Sequence, residues 1–258
     1  MNIHSTAVIS PNASLGDDVK IGPYSIIGED VVIGSSCRID PHVVIQGPTT
    51  VGSHCQFFSF CSIGFPPQDL KFQGEPTKLV IGAHNIFREY VTVNRGTLGG
   101  GGQTLIGDHN CIMAYGHIAH DCLLGDHILL ANAATLAGHV TIEDHATVGA
   151  FSGVHQFCRV GAYGFVGGYS VITKDVLPYS KTVSAREAKN YGVNTIGLER
   201  RSFSAESIKA IRSAYRLLLQ SNLNTSQALE ELKKRFLDNS EIQILINFIE
   251  NSERGIIK

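Results

Sequence analysis

The chain has 258 residues, 43% of them hydrophobic and 17% charged, with a formal net charge of −2. That is an ordinary globular balance with enough apolar residues for a sizeable core, and it argues against bulk nucleic-acid binding. No run approaches the roughly 18 apolar residues of a membrane span, residues 1–14 lack a basic and apolar leader, and the six cysteines read as reduced, cytoplasmic thiols.

From the N-terminus, aliphatic residues recur every six positions: Ile3, Ile9, Leu15, Ile21, Ile27, Ile33, Ile39, Ile45 and Val51, then Phe57 and Ile63. The lattice breaks after Gly64, resumes at Ile81, Phe87 and Val93, breaks again from Leu98 to Leu105, and then runs from Ile106 to Ile172. Four residues after each aliphatic the residue is usually small or β-branched, as at Val19, Ser25, Cys37, Cys122, Ala134 and Ser152. A large side chain pointing inward with a smaller one filling the corner beside it is the pattern of a parallel β-helix, mainly β, with three six-residue faces per coil. Cys37, Cys55, Cys61, Cys122 and Cys158 take the small inward slot and only Cys111 does not, so Cys122 reads as a packed thiol rather than a nucleophile. The general rule for parallel crossovers would make such a coil right-handed.

The first interruption, "GFPPQDLKFQGEPTK" over 64–78, reads as a loop stiffened by Pro66, Pro67 and Pro76. Gln68, Asp69 and Lys71 stand there among Phe65, Leu70 and Phe72, as a functional loop or a solvated one. The second, "TLGGGGQT" over 97–104, reads as simply flexible; without a following GK[ST] it is not a phosphate loop.

The motif "HIAHDC" over 117–122 follows. Positions 118, 136 and 154 differ by 18 and share one face of coils stacked about 4.8 Å apart. His117, His120, His139 and His155 therefore gather on one wall. Three readings compete. One is surface decoration, because His42, His54, His84, His109, His127 and His145 also sit along the lattice. Another is a metal site, weakened by the inward Cys122. The third is a histidine base acting on a substrate hydroxyl in a cleft. Asp121 could orient His120, although neighbours along a strand usually face opposite sides.

Of 27 glycines, 24 precede residue 181, which sets a boundary near Ser180 between a solenoid (1–180) and a C-terminal α-helical domain (181–258). Ser204 can N-cap a helix with Glu206 in its first turn and Ile208, Ile211, Tyr215 and Leu218 as its apolar stripe. Two more helices fit 226–237 and 241–251. Between 181 and 220, eight basic residues (Lys181, Arg186, Lys189, Arg200, Arg201, Lys209, Arg212 and Arg216) face only Glu187, Glu199 and Glu206. That patch suits an anionic partner or phosphate groups, or is a solvated helix face.

The segments "QDLKF" (68–72), "GEPT" (74–77), "NRGT" (94–97), "HIAHDC", "LAGHV" (136–140), "VHQFC" (154–158) and "GLERRSF" (197–203) together resemble the bacterial UDP-N-acetylglucosamine O-acyltransferases of lipid A synthesis, nearly end to end. The resemblance implies a left-handed β-helix and a cytoplasmic homotrimer with sites between subunits. It implies transfer of a fatty acyl group, usually 3-hydroxylated, from acyl carrier protein to the 3-hydroxyl of UDP-N-acetylglucosamine, without metal or cofactor. In the same terms, His120 is the general base, and Gly138 supplies the oxyanion amide. Asp69 and Lys71 hold the sugar, and His117 and His139 line the site. His155, Gln156, Asn194, Arg200 and Arg201 contact the nucleotide or its phosphates, Gln68 meets the acyl 3-hydroxyl, and Gly168 limits acyl length. Ile196 stands where some members carry an acid near the nucleotide. Related enzymes acylate a 3-amino sugar instead, and an N-acyltransferase of the same pathway carries a further domain ahead of the solenoid, for which a lattice starting at Ile3 leaves no room.

Overall fold

Short strands, most of two or three residues, alternate with tight corners along most of the chain in the computed structural model, which describes residues 2–183, 190, 192–252 and 256. The chain divides into two compact units, Met1–Ser184 and Ala185–Lys258.

In the first unit the strands stack into three parallel sheets of ten, nine and eight strands, visited in rotation. The unit is a left-handed parallel β-helix. Register follows the 18-residue coil: His117 pairs with Thr135, Ile118 with Leu136, and Leu136 with Val154. Two coils are longer. Val51 pairs with Ile81 and Val93 with Ile118, steps of 30 and 25 residues. The inward side chains form one continuous core from Val19 to Val176, with the Phe57 and Phe87 rings stacked 3° from parallel inside it.

The corners explain what the hexad pattern alone leaves open. One residue before most of the small inward slots, a non-glycine residue adopts φ near +60°, as at Tyr24, His42, His54, Tyr90, Asp121, His139 and Phe157. Each such left-handed residue costs about 1–2 kcal/mol, and ring stacking offsets part of it. His54, His84, His109, His127 and His145 form one ladder, continued by Tyr163 and Tyr179, with centroids 4.6–5.6 Å apart. Tyr24, His42, Phe60, Tyr90 and Tyr115 form another. The lattice histidines other than those near residue 120 thus have a structural occupation.

Five cysteines, at 37, 55, 61, 122 and 158, are buried, and Cys111 is partly exposed. Burial pushes the thiols of Cys61 and Cys122 up to about 12. With thiolate as the reactive form, Ellman's reagent at pH 8 should label Cys111 first in the native protein, and Cys111→Ser should abolish that earliest phase. A second thiol reacting equally fast would contradict the packing.

The second unit holds α1 (Thr195–Glu199), α2 (Ala205–Leu219), α3 (Thr225–Arg235) and α4 (Ser240–Glu250). Ser204 caps α2 as its sequence position predicts, and Asn224 and Gln227 close a capping box on α3. Ala214, Leu218, Ala228, Leu232, Ile242 and Ile246 pack between α2, α3 and α4. Helix α1 is absent from the sequence expectation because five residues are too few to show a period. Among the described residues, no helix is long and apolar enough to cross a membrane.

Candidate active site

Both interruptions of the lattice leave the solenoid at one edge, the corner between the nine-stranded and eight-stranded sheets. The first spans 66–77, between the strands Ser62–Phe65 and Lys78–Ile81. The second spans 95–102, between Thr92–Asn94 and Gln103–Ile106. One coil further on, the same corner carries His120 and Asp121, and the next coil carries Gly138 and His139. The coil repeat therefore superposes 120 on 138 and 121 on 139.

Asp121 is the hub. Its side chain has no exposed surface. Oδ1 accepts the Thr97 N–H at 2.7 Å, and Oδ2 accepts the Thr97 hydroxyl at 2.7 Å and His120 Nδ1 at 2.7 Å. His139 Nε2 lies 3.4 Å from the same Oδ2. The Asp121 amide donates to the buried Thr104 hydroxyl. The expectation that adjacent side chains diverge fails because Asp121 is a corner residue with φ +61°, outside the extended strand geometry on which that expectation rests. A carboxylate is an acceptor, so it holds the proton of His120 on Nδ1 and leaves Nε2 with a free lone pair.

His120 retains 16% side-chain exposure, so that lone pair is accessible. Its ring lies over Gly138, where an added Cβ would stand 2.6 Å from Cε1 and 2.8 Å from Nε2. No partner takes the Gly138 N–H among the described residues. His139 meets His120 edge-on at 5.3 Å and rests against Phe157 at 4.5 Å; its buried Nδ1 has no partner among the described residues. His117 bonds Thr92 Oγ1 through Nδ1 at 2.7 Å. Burial, and then the neighbouring His120, hold its pKa below the usual histidine value, which keeps the ring neutral.

His155 and Gln156 are exposed at the same edge, one coil beyond Gly138, and His155 Nδ1 meets the Gln156 carbonyl. Gly168 lies at a different corner, between the ten- and nine-stranded sheets, where an added Cβ would stand a tight 3.2 Å from the Ala150 carbonyl. In the 66–77 loop Asp69 accepts the Lys71 amide, and Gln68 and Lys71 are exposed. Among the described residues none of these three hydrogen-bonds to the histidines. In the second unit Asn194 caps α1 through Gly197 N, Arg200 ends that helix, and Arg201 donates to the Gly197 carbonyl. Lys209, Arg212 and Arg216 fall on one stripe of α2, all exposed. Arg186, Glu187 and Lys189 lie outside the described residues.

The glycine-rich segment is not the slack loop its composition suggests. Thr97 caps a short 3-10 turn, Leu98–Gly100, and both its amide and its hydroxyl reach Asp121. Thr97 is the site residue that the sequence reading missed; the signal was a threonine immediately before a tight turn.

His120, Asp121 and His139 present ligand-type atoms within 4.8 Å of one another, a group that could hold a metal ion. The donor set suits it poorly. Asp121 Oδ2 already accepts two hydrogen bonds, and a metal bridging it to His120 Nδ1 would displace the proton held there.

A family model described as bacterial transferase hexapeptide (six repeats) matches residues 1–35, and one described as UDP N-acetylglucosamine O-acyltransferase, domain 2, matches 175–257. An acyl-(acyl-carrier-protein)–UDP-N-acetylglucosamine O-acyltransferase from Thermodesulfovibrio yellowstonii is 48% identical over 256 residues, 99% of each chain. The crystal structure of a UDP-N-acetylglucosamine O-acyltransferase from Moraxella catarrhalis is 44% identical with a TM-score of 0.70 over all of both chains. That of the Arabidopsis UDP-N-acetylglucosamine acyltransferase is 33% identical with a TM-score of 0.62, over 99% of this chain and all of the other.

Proposed function

Since the chain belongs to the UDP-N-acetylglucosamine O-acyltransferase family, we propose that it moves a fatty acyl group from acyl carrier protein to the 3-hydroxyl of UDP-N-acetylglucosamine, with His120 as the base. The observation that carries the mechanism is the Asp121–His120 pair, with the proton held on Nδ1 and the ring set over Gly138.

A thioester donor is already activated, so the chain need only orient a hydroxyl, remove its proton and stabilise one oxyanion. His120 Nε2 takes the hydroxyl proton as the oxygen forms its bond to the thioester carbonyl carbon. The Gly138 N–H faces the oxyanion that results. Collapse breaks the carbon–sulfur bond, and the imidazolium returns its proton to the departing thiolate. No covalent enzyme intermediate, metal or cofactor enters, which agrees with the buried Cys122.

His117 and His139 line the acceptor site, and His155 and Gln156 extend it toward the nucleotide. Asp69 and Lys71 hold the sugar, Gln68 meets an acyl 3-hydroxyl, and Asn194, Arg200 and Arg201 meet the nucleotide or its phosphates. The protein works as a homotrimer with sites between subunits, a second copy supplying Gln68, Asp69 and Lys71 to the histidines of its neighbour. Gly168 leaves room for a long acyl chain. Six unpaired thiols suit the cytoplasm.

The deciding experiment offers purified protein UDP-N-acetylglucosamine and its 3-amino analogue against a panel of acyl carrier protein thioesters of different length, with and without the 3-hydroxyl. Turnover of the hydroxyl sugar with a 3-hydroxyacyl donor is expected; preference for the amino sugar would reassign the acceptor.

Acyl carrier protein is acidic, which suits the exposed Lys209, Arg212 and Arg216 stripe. Reversing Lys209 and Arg216 to Glu should raise KM for the carrier protein about tenfold at low salt and flatten its salt dependence, with kcat little changed. An unchanged KM would remove the docking role.

A further inference from the structure

We infer that Thr97 is a positioning residue that decides which of two imidazoles the Asp121 carboxylate serves; the inference rests on His120 acting as the base. Asp121 Oδ2 has His120 Nδ1 at 2.7 Å on one side and His139 Nε2 at 3.4 Å on the other. Nothing intrinsic to a carboxylate favours the first. A small rotation about its Cβ–Cγ bond would bring Oδ2 to His139 and release His120. His120 could then carry its proton on Nε2, the tautomer that cannot accept a proton from a hydroxyl.

Thr97 prevents that rotation by holding both oxygens, its N–H on Oδ1 and its hydroxyl on Oδ2. The hydroxyl has little choice of direction: its oxygen accepts the Gly100 N–H at 3.2 Å, so its hydrogen turns to Asp121. Gly100, in the turn that Thr97 caps, packs against the same carboxylate. A Cβ on Gly100 would collide with the carboxylate carbon and both carboxylate oxygens, so the absent side chain gives Asp121 its place. The glycine-rich insertion thus acts as a clamp on the buried acid, and through it on the tautomer of His120.

Thr97→Val keeps the shape and the N–H but removes the hydroxyl. It should lower kcat about 30-fold, the order of one hydrogen bond to a charged group, with KM for both substrates within about twofold. The 15N spectrum of histidine-labelled protein should change from a single Nδ1–H form of His120 to a mixture of tautomers. Thr97→Ser should recover most of kcat and the single tautomer. In an Asp121→Asn background, Thr97→Val should cost nothing further, because it acts only through that carboxylate. Gly100→Ala intrudes on the space of the carboxylate and should lower kcat at least as much. Wild-type kcat in Thr97→Val or Gly100→Ala, no rescue by serine, or a full additional loss in the Asp121→Asn background would overturn the clamp. His120→Ala, measured alongside, separates the two ideas. If it is inactive while Thr97→Val is normal, only the clamp falls; if it turns over normally, the base assignment falls as well.

Discussion

His120→Ala should turn over about 10³-fold more slowly than the parent enzyme while melting within a few degrees of it. The first half follows from the role. A positioned acid–base group contributes roughly 10² to 10⁴ to a rate, and no other imidazole can replace this one. His117 is bonded through Nδ1 to Thr92, and His139 points its Nε2 at Asp121 and buries its Nδ1. The second half follows from what remains. Removing the ring leaves Asp121 with both Thr97 donors, so no buried charge is stranded, and the ring lies outside the solenoid core. Rate constants at saturating substrate and a thermal melt on the same preparation check both. Normal turnover would remove the base; a collapsed melt would show that the ring is structural after all.

Gly138→Ala should lower kcat by about 10² with KM changed far less. The backbone there is outside the left-handed region, so alanine meets no conformational barrier, and its amide remains available to an oxyanion. What changes is the space for His120. A methyl carbon 2.6 Å from Cε1 is inside any tolerable contact and must displace the ring by something near an ångström, enough to cost about two orders of magnitude in a well-aligned reaction. The His120→Ala/Gly138→Ala double variant provides the control: once the ring is gone, the extra methyl should cost nothing more. A Gly138→Ala enzyme with the parent's kcat would mean that the ring's position does not limit the rate.

The solenoid was legible because its core is written in period six, and a period survives any local ambiguity in propensity. The same period placed His120 and His139 in adjacent coils. It could not show the corner conformation, since a hexad of apolar residues says nothing about which outward residue adopts φ near +60°. For that reason the neighbouring Asp121 was expected to diverge from His120, and the outlying histidines looked like decoration rather than stacked ladders. The 97–104 segment failed for another reason. Four consecutive glycines signal chain freedom, and only the tertiary placement of Thr97 against Asp121 reveals that the freedom is used up.

Chain length in the solenoid is quantised everywhere except along a single seam. Elsewhere, adding or losing a residue would turn the inward column outward in every later strand. At the seam between the second and third sheets two insertions of different length depart and return, and the strands beyond them resume their register. Catalytic apparatus can therefore be elaborated there by simple lengthening, while the scaffold that holds the imidazoles in line stays unaware of the change.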